Sequence, residues 1–201
     1  MASWPLALVI LPPQHTVTGL TAWQLIDETT FVVGLAAVAG MTGIFAERRW
    51  LFAQMAANDR FGVEFGGLAT AAVLGAALCL LPALAFAPGA EPRFESVLRH
   101  HVAQAAVALH TVALAIVLLR LPGPGQLVSL GLFLVAWGVP ALLPAQTLGE
   151  DFVRRALDPT LHLGRDWTSA MSWSTTLIDM MPVLALLIWG RWLPPAPPSR
   201  S

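Results

Sequence analysis

The stretch GIFAERRWLFAQMAANDRFGVEFGG, residues 43–67, places a short charged segment between two long apolar runs. Its charged residues are Glu47, Arg48, Arg49, Asp59, Arg60 and Glu64. The flanking runs, residues 29–46 and 65–87, contain no charged residue. Each is close to the roughly twenty residues that a helix needs to cross a hydrocarbon core. The pattern predicts two membrane-spanning helices joined by a polar bridge, which we define as residues 47–60.

The composition of the whole chain favours a lipid environment. Of its 201 residues, 56% are hydrophobic and 11% are charged, whereas roughly 25% of a soluble domain is charged. So few charges cannot cover the apolar surface of a soluble protein of this length, but lipid can act as the outer solvent. The net charge of −1 and the absence of a basic patch give no indication of a nucleic-acid partner.

The chain lacks the residues that several kinds of catalytic and binding chemistry require. All 11 cationic residues are arginines, so the chain has no phosphate-binding loop ending in Gly-Lys-Ser/Thr and cannot hydrolyse ATP in that way. Cys79 is the single cysteine, which excludes an intrachain disulfide and a zinc–cysteine cluster. Neither H-E-x-x-H nor G-x-S-x-G occurs. We therefore predict a protein that is not itself an enzyme and carries no cofactor.

The apolar runs predict an all-α, polytopic integral membrane bundle of about five transmembrane helices in a single domain. The predicted spans are residues 29–46, 65–87, 102–119, 126–145 and 172–193. Pro140 and Pro182 lie inside two of them and predict kinks. The apolar run at residues 4–11 is too short to cross and predicts an interfacial or re-entrant helix closed by Pro12 and Pro13. A degenerate sixth span is the alternative.

The distribution of arginine predicts the orientation. Residues 1–47 contain no arginine, whereas Arg48, Arg49 and Arg60 follow directly after the first full span. Because cytoplasmic loops are enriched in arginine and lysine, the bridge is predicted to be cytoplasmic and the N-terminus outside. Five crossings then place the C-terminus inside. An arginine-only basic set further suggests a bacterial source, and hence the bacterial inner membrane.

Within the bridge, apolar and charged residues alternate at near-helical spacing. Trp50, Leu51, Met55 and Phe61 are predicted to lie against lipid or a partner. The residues predicted to face outward are Glu47, Arg48, Gln54, Asn58 and Asp59. This pattern predicts a cytoplasmic amphipathic elbow helix that lies along the membrane surface. A simple interfacial connector between two spans is the alternative.

The bridge and the span after it resemble the permease subunits of type-2 ATP-binding-cassette exporters. The matching segments are FAERRWLFAQMAANDR, residues 45–60, and FGGLATAAVLGAALCLLPAL, residues 65–84. In that family a span ends in an acidic and arginine-rich turn, an elbow-like helix follows, and a glycine-containing segment opens the next span. Two features depart from the pattern: the first span is reduced to the short run at residues 4–11, and residues 47–60 lack the family's Gly and Pro.

The resemblance implies a mechanical role for the bridge. A separate ATP-binding subunit would dock on it, a second permease chain would complete the transporter, and closure of the ATPase dimer would tilt the spans. The residues expected to contact the ATP-binding subunit are Glu47, Arg48, Arg49, Trp50, Asp59 and Arg60. Arg48 and Arg49 are expected to pair with acidic residues of that subunit.

Polar residues inside the predicted spans are the intramembrane candidates, because they are costly in lipid. Asp179 could bind a substrate cation or relay a proton, or it could pair with an arginine of the preceding loop, or lie near the membrane interface if the span starts later. His110 could ligate haem or a metal, or it could join Gln104 and Thr111 in a hydrogen-bonding stripe between helices.

Small residues recur every fourth position in the second predicted span, at Gly67, Ala71 and Gly75. Such a stripe allows another helix to approach closely. It supports an alternative function, in which the chain is a structural or accessory subunit of a larger redox or photosynthetic complex and holds its neighbours through this face. An intramembrane enzyme is a third possibility, for which no catalytic signature is found.

Overall fold

The computed structural model describes residues 19–86, 94–138, 156–159, 173–194 and 196, with side chains in 29–78, 104–138, 156–159, 180–194 and 196. The short N-terminal helix predicted at residues 4–11 lies outside the described residues. So do the side chains of Cys79 and Asp179, residues 139–145 of the fourth predicted span, and most of the loop at 146–171.

Every regular element in the described part of the chain is helical, which confirms the all-α prediction there. The helices are α1 (Gly19–Glu47), α2 (Arg49–Phe52), α3 (Ala57–Phe86), α4 (Phe94–Leu118), α5 (Gly125–Phe133) and α6 (Trp173–Trp192). A π-helical turn, Leu134–Gly138, continues α5. A helix satisfies its backbone hydrogen bonds internally, so an apolar run can form a helix where no water is available to bond the backbone.

Among the described residues, two helices are long and apolar enough to cross a membrane, by length and composition: Thr29–Glu47 within α1 and Ala57–Leu78 within α3. Only 39% and 22% of their apolar windows, respectively, are buried inside the chain. A helix in the core of a soluble protein would be mostly buried. Shorter apolar helices occupy Gln104–Leu118, Gly125–Gly138 and Met180–Trp192. The five predicted spans overlap these helices, and their number as membrane crossings stays a prediction.

Helices α1 and α3 pack antiparallel through small residues. Gly75 of α3 faces Gly34 and Ala37 of α1, and Gly67 lies beneath the ring of Phe45 near the other end of the contact. The large outward side chains of α3 remain exposed, with Leu78 73% accessible. The predicted small-residue stripe therefore packs against a helix of the same chain.

The ends of several helices meet at one end of the described part of the molecule, which we call the bridge end. The C-terminus of α1 and the N-terminus of α3 lie there on either side of the bridge. Contact of Gly43 with Gly125 brings the start of α5 beside the end of α1. Contact of Ile116 with Gly190 places the C-terminal ends of α4 and α6 side by side.

The single amphipathic helix predicted across the bridge is wrong. The chain leaves α1 after Glu47, makes only the four residues of α2, turns through 53–56 and enters α3 at Ala57. A straight helix over residues 47–60 would measure ~21 Å, whereas packed helices lie roughly 8–10 Å apart. The antiparallel contact of α1 with α3 therefore requires the break. Asp59 and Arg60 belong to the first turns of α3.

Candidate functional site

Charged residues from the bridge, α3 and the end of α4 gather at the bridge end. We call this group the bridge-end cluster, and it contains Glu47, Arg49, Arg60, Glu64 and Arg120. Their positions follow from the helix ends that meet there. Burial of charge is costly unless each group gains partners, so the contacts of each residue decide what the cluster can do.

Glu64 and Arg120 form the buried centre of the cluster. Both terminal nitrogens of Arg120 donate to the two carboxylate oxygens of Glu64, the Nη1–Oε1 distance being 3.0 Å. Such a forked pair is the strongest geometry available to a guanidinium and a carboxylate. The remaining Nε of Arg120 donates to the carbonyl of Gly190 at 2.9 Å. Arg120 therefore connects α3, α4 and α6.

Arg60 adds a second guanidinium to this centre. Its Nε lies 3.8 Å from Oε1 of Glu64, four residues later on α3. That distance gives charge attraction but is too long for a hydrogen bond, and the Arg60 Nε is buried without a hydrogen-bond partner. Arg60, Glu64 and Arg120 are all at least 92% buried, at 6%, 5% and 8% exposure. The buried centre thus holds two cations and one anion.

Arg49 reaches from α2 to the segment that joins α4 to α5, residues 119–124, which we call the α4–α5 turn. Its Nη1 donates to the carbonyl of Gly123 at 3.0 Å, and its Nη2 donates to that of Leu121 at 2.6 Å and, more weakly, to that of Leu119 at 3.4 Å. Burial lowers the pKa of the Arg49 guanidinium, and Glu47 and Glu64 oppose that change. Arginine starts so far above neutral pH that it stays protonated.

Glu47 contacts the residue that directly follows the α4–α5 turn. Its Oε1 accepts a hydrogen bond from the backbone N–H of Gly125, the first residue of α5. Two glycines permit this approach. A Cβ on Gly125 would collide with the carbonyl of Gly43 and with the Glu47 side chain, and a Cβ on Gly43 would lie 3.3 Å from the Gly125 carbonyl oxygen.

The six residues predicted to contact an ATP-binding subunit divide into two groups. Glu47, Arg49 and Arg60 take part in the bridge-end cluster. Arg48, Trp50 and Asp59 are exposed, and so is Leu51 beside Trp50. Trp50 is 64% accessible and Leu51 is 45% accessible. Glu47 is exposed as well, so four of the six predicted residues are accessible to a partner, and Arg49 and Arg60 are less so.

Sequence reasoning missed Glu64 and Arg120 as functional candidates. A signal for Glu64 was present, because it follows Arg60 by four residues, the spacing of an ion pair on one helix face. Arg120 stands at the end of an apolar run just before Leu-Pro-Gly-Pro-Gly. No spacing rule links it to Glu64, from which it is separated by 56 residues.

Two polar candidates within the predicted spans, His110 and Thr111, form hydrogen bonds with backbone carbonyls of this chain. His110 is fully buried, and its Nε2 donates to the carbonyl of Ala156 at 2.8 Å, which ties residues 156–159 to α4. Thr111 donates to the carbonyl of Val107 in its own helix. Gln104 is half-buried near the start of the described side chains of α4. The role predicted for Asp179 concerns a side chain outside the described residues.

The predicted helix-packing residues lie on α3, and the neighbours of the two glycines among them are residues of α1. Gly67 and Gly75 contact α1 directly, and Ala71 between them is half-buried. Among the residues that the structure describes, no group of three or more His, Cys, Asp or Glu side chains is arranged to hold a metal ion.

The cluster is suited to holding helices in register. A forked ion pair, an arginine on three carbonyls and a carboxylate on a helix N-terminus together connect the bridge with α4, α5 and α6. Comparison with protein-family models, with curated proteins and with solved structures gave no match to this chain. What the chain does must therefore be inferred from its own residues.

Proposed function

We propose that this chain is the membrane-spanning permease subunit of an ATP-driven exporter in the bacterial inner membrane. It would work with a separate ATP-binding subunit and a second permease chain. The observation that carries the proposal is the double nature of the bridge: one side is exposed, and the other is bonded to the ends of several helices. An element of this kind receives force at its surface and passes it to the bundle.

A membrane location is supported by the outward faces of the helices. Val73, Leu74 and Leu78 of α3 are 64%, 59% and 73% accessible, and Ile188 and Trp189 of α6 are 60% and 55% accessible. Exposed apolar side chains in this number are costly in water and favourable in lipid. In that setting the bridge end, rich in arginine, is expected to face the cytoplasm.

The docking surface for the ATP-binding subunit is the exposed part of the bridge, to which Arg48, Trp50, Leu51 and Asp59 contribute exposed side chains. Aromatic and arginine side chains carry much of the binding energy in protein interfaces. The contact expected for Arg48 is an acidic residue of the partner. Arg49 serves this interface indirectly, because its guanidinium is bonded to the α4–α5 turn.

The test is affinity purification of the tagged chain in mild detergent, followed by measurement of ATPase activity and identification of the subunits that co-purify. We compare Leu51→Glu with Leu121→Glu. Leu121 is a matched control, because it is also an exposed leucine at the bridge end, at 52% against 45%, but lies on the α4–α5 turn. Leu51→Glu should reduce the recovered ATP-binding subunit at least about tenfold, as expected from a loss of roughly 1.4 kcal/mol.

A stoichiometric ATP-binding subunit that is lost in Leu51→Glu and retained in Leu121→Glu supports the proposal. Equal loss in both variants would show that the bridge is not the docking surface. Recovery of wild-type protein with redox subunits, and without any ATP-binding subunit, would replace the transport function by the accessory-subunit alternative.

A further inference from the structure

We propose that Glu47 and Arg49 form a two-charge clamp that fastens the bridge to the α4–α5 turn, so that bridge and turn move as one unit. Its use in transport rests on the proposed function, since it would carry movement of the bridge to α4 and α5. The clamp itself is a property of this chain and can be tested without any partner.

The acidic half of the clamp acts on the start of α5. A helix N-terminus has unsatisfied N–H groups and a partial positive charge, which a carboxylate stabilises. Pro124 precedes the helix and makes no side-chain capping hydrogen bond. Glu47, from a different helix, accepts the N–H of Gly125 instead. The cap of α5 is therefore supplied by the end of α1.

The basic half acts on the α4–α5 turn, directly after the end of α4. A helix C-terminus has unsatisfied carbonyls and a partial negative charge, which a cation stabilises. Arg49 donates to the carbonyls of Leu119, Leu121 and Gly123. Gly123 has a φ of 152°, a conformation that favours glycine. The planar fork of a guanidinium can reach several carbonyls at once, whereas a lysine ammonium is a single point charge.

The sign of each charge matches the backbone groups that it meets, the carboxylate facing an N–H group and the guanidinium facing carbonyls. Glu47 and Arg49 are separated by one residue, and they contact the first residue of α5 and the carbonyls of the turn that precedes it. Exchanging the two side chains would place a cation against a helix N-terminus and a carboxylate against backbone carbonyls. The intervening residue, Arg48, is exposed and belongs to the proposed docking surface. Force applied there would act directly beside both halves of the clamp.

The experiment is hydrogen–deuterium exchange on the purified full chain in detergent. In the double exchange variant Glu47→Arg/Arg49→Glu, net charge is unchanged but both contacts become repulsive. We expect about tenfold faster exchange at the amides of residues 125–127, the effect of losing one charge-assisted hydrogen bond. Arg48→Gln is the matched control and should exchange like wild type at these amides.

Amides at residues 106–116, in the buried part of α4, report whether the variant keeps its fold. If their exchange also rises, Arg49→Lys decides the question: it keeps the charge and should exchange at residues 125–127 faster than wild type but more slowly than the double variant. Wild-type exchange at 125–127 in both variants would refute the clamp. Failure to recover an ATP-binding subunit would leave this result unchanged, so the two proposals fail separately.

Discussion

At the residue scale, the main feature is that two buried cations share one buried anion. Glu64 serves two guanidiniums, those of Arg60 and Arg120, and makes hydrogen bonds only with the second. A buried ion pair contributes little net stability, but removal of one partner leaves a charge that is costly to bury. The three residues are therefore expected to respond differently to substitution.

Substitution of Glu64 should be strongly destabilising. Glu64→Gln removes the carboxylate and leaves both buried cations without an anion, so we expect a loss of about 3 kcal/mol in stability. The measurement is the midpoint of thermal unfolding in detergent. Asp59→Asn on the same helix is the control, because Asp59 is exposed and should change the midpoint little. Equal effects of the two variants would contradict the assignment of Glu64 as the centre of the cluster.

Substitution of Arg60 should be tolerated. Its Nε is buried without a hydrogen-bond partner, and a second cation lies nearby on Arg120. Arg60→Met keeps the apolar part of the side chain and removes the excess charge, so the stability should stay within about 1 kcal/mol of wild type or increase. The same thermal measurement applies. A loss as large as that of Glu64→Gln would mean that Arg60 is needed for charge balance.

At the element scale, glycines determine how closely the helices approach. Adjacent glycines of α3 have opposite surroundings: a Cβ on Gly67 would lie 2.6 Å from Cζ of Phe45, whereas a Cβ on Gly66 would meet nothing within 4 Å. Sequence alone could indicate that α3 has a small-residue stripe, but it could not show that the stripe faces α1. That assignment needs the position of the neighbouring helix.

The pair Gly66→Ala and Gly67→Ala tests this packing. In a helix interior, alanine is favoured over glycine by up to about 1 kcal/mol, so Gly66→Ala should be neutral or stabilising. Gly67→Ala must displace the Phe45 ring and should lose roughly 1–3 kcal/mol. Thermal unfolding of the two variants under the same conditions measures the difference. A more stable Gly67→Ala would show that Phe45 moves aside without cost.

The contact of α1 with α5 offers a second pair. Gly125→Ala would force the start of α5 away from Gly43 and Glu47, whereas Gly131→Ala on the same helix has open space around its Cβ. We expect Gly125→Ala to lose roughly 1–3 kcal/mol in stability and Gly131→Ala to lose none. If the two variants unfold at the same temperature, α5 does not depend on close approach to α1.

At the scale of the whole molecule, the bridge, the α4–α5 turn and the C-terminus of α6 lie at one end. If the helices cross a membrane, these three places must be on the same side of it. Arg191 and Asn58 also meet there, with an Nη2–Oδ1 distance of 3.1 Å. The arginine distribution predicts that this side is the cytoplasm.

Cysteine labelling in intact cells tests this arrangement. In a Cys79→Ala background, Arg48→Cys, Pro122→Cys and Pro194→Cys each introduce one thiol at an exposed position of the bridge end. We expect all three to react only after the membrane is made permeable to the reagent. Labelling of one thiol from outside while the others stay protected would refute the shared side. Labelling of all three from outside would reverse the predicted orientation.

Helical character and the position of the polar bridge could be predicted because both depend on neighbouring residues: long apolar runs and a change in charge density. The form of the bridge could not be predicted from neighbouring residues, because the break after Glu47 is imposed by the packing of α1 against α3. The spacing predicted that Arg48 faces outward and that Trp50 lies against lipid or a partner, and both side chains are exposed. The joining of Glu64 to Arg120 depends on helix ends that are distant in sequence, and no local pattern indicates it.

The hydrogen bond from Arg120 to the Gly190 carbonyl joins residues 70 positions apart in the chain. During synthesis, α1 to α5 emerge from the ribosome long before Gly190 does. Until then Arg120 has its carboxylate partner but lacks the acceptor for its Nε. Helix α6 therefore completes the polar contacts of Arg120, and a nascent chain that stops before residue 190 leaves the Nε of Arg120 without this acceptor.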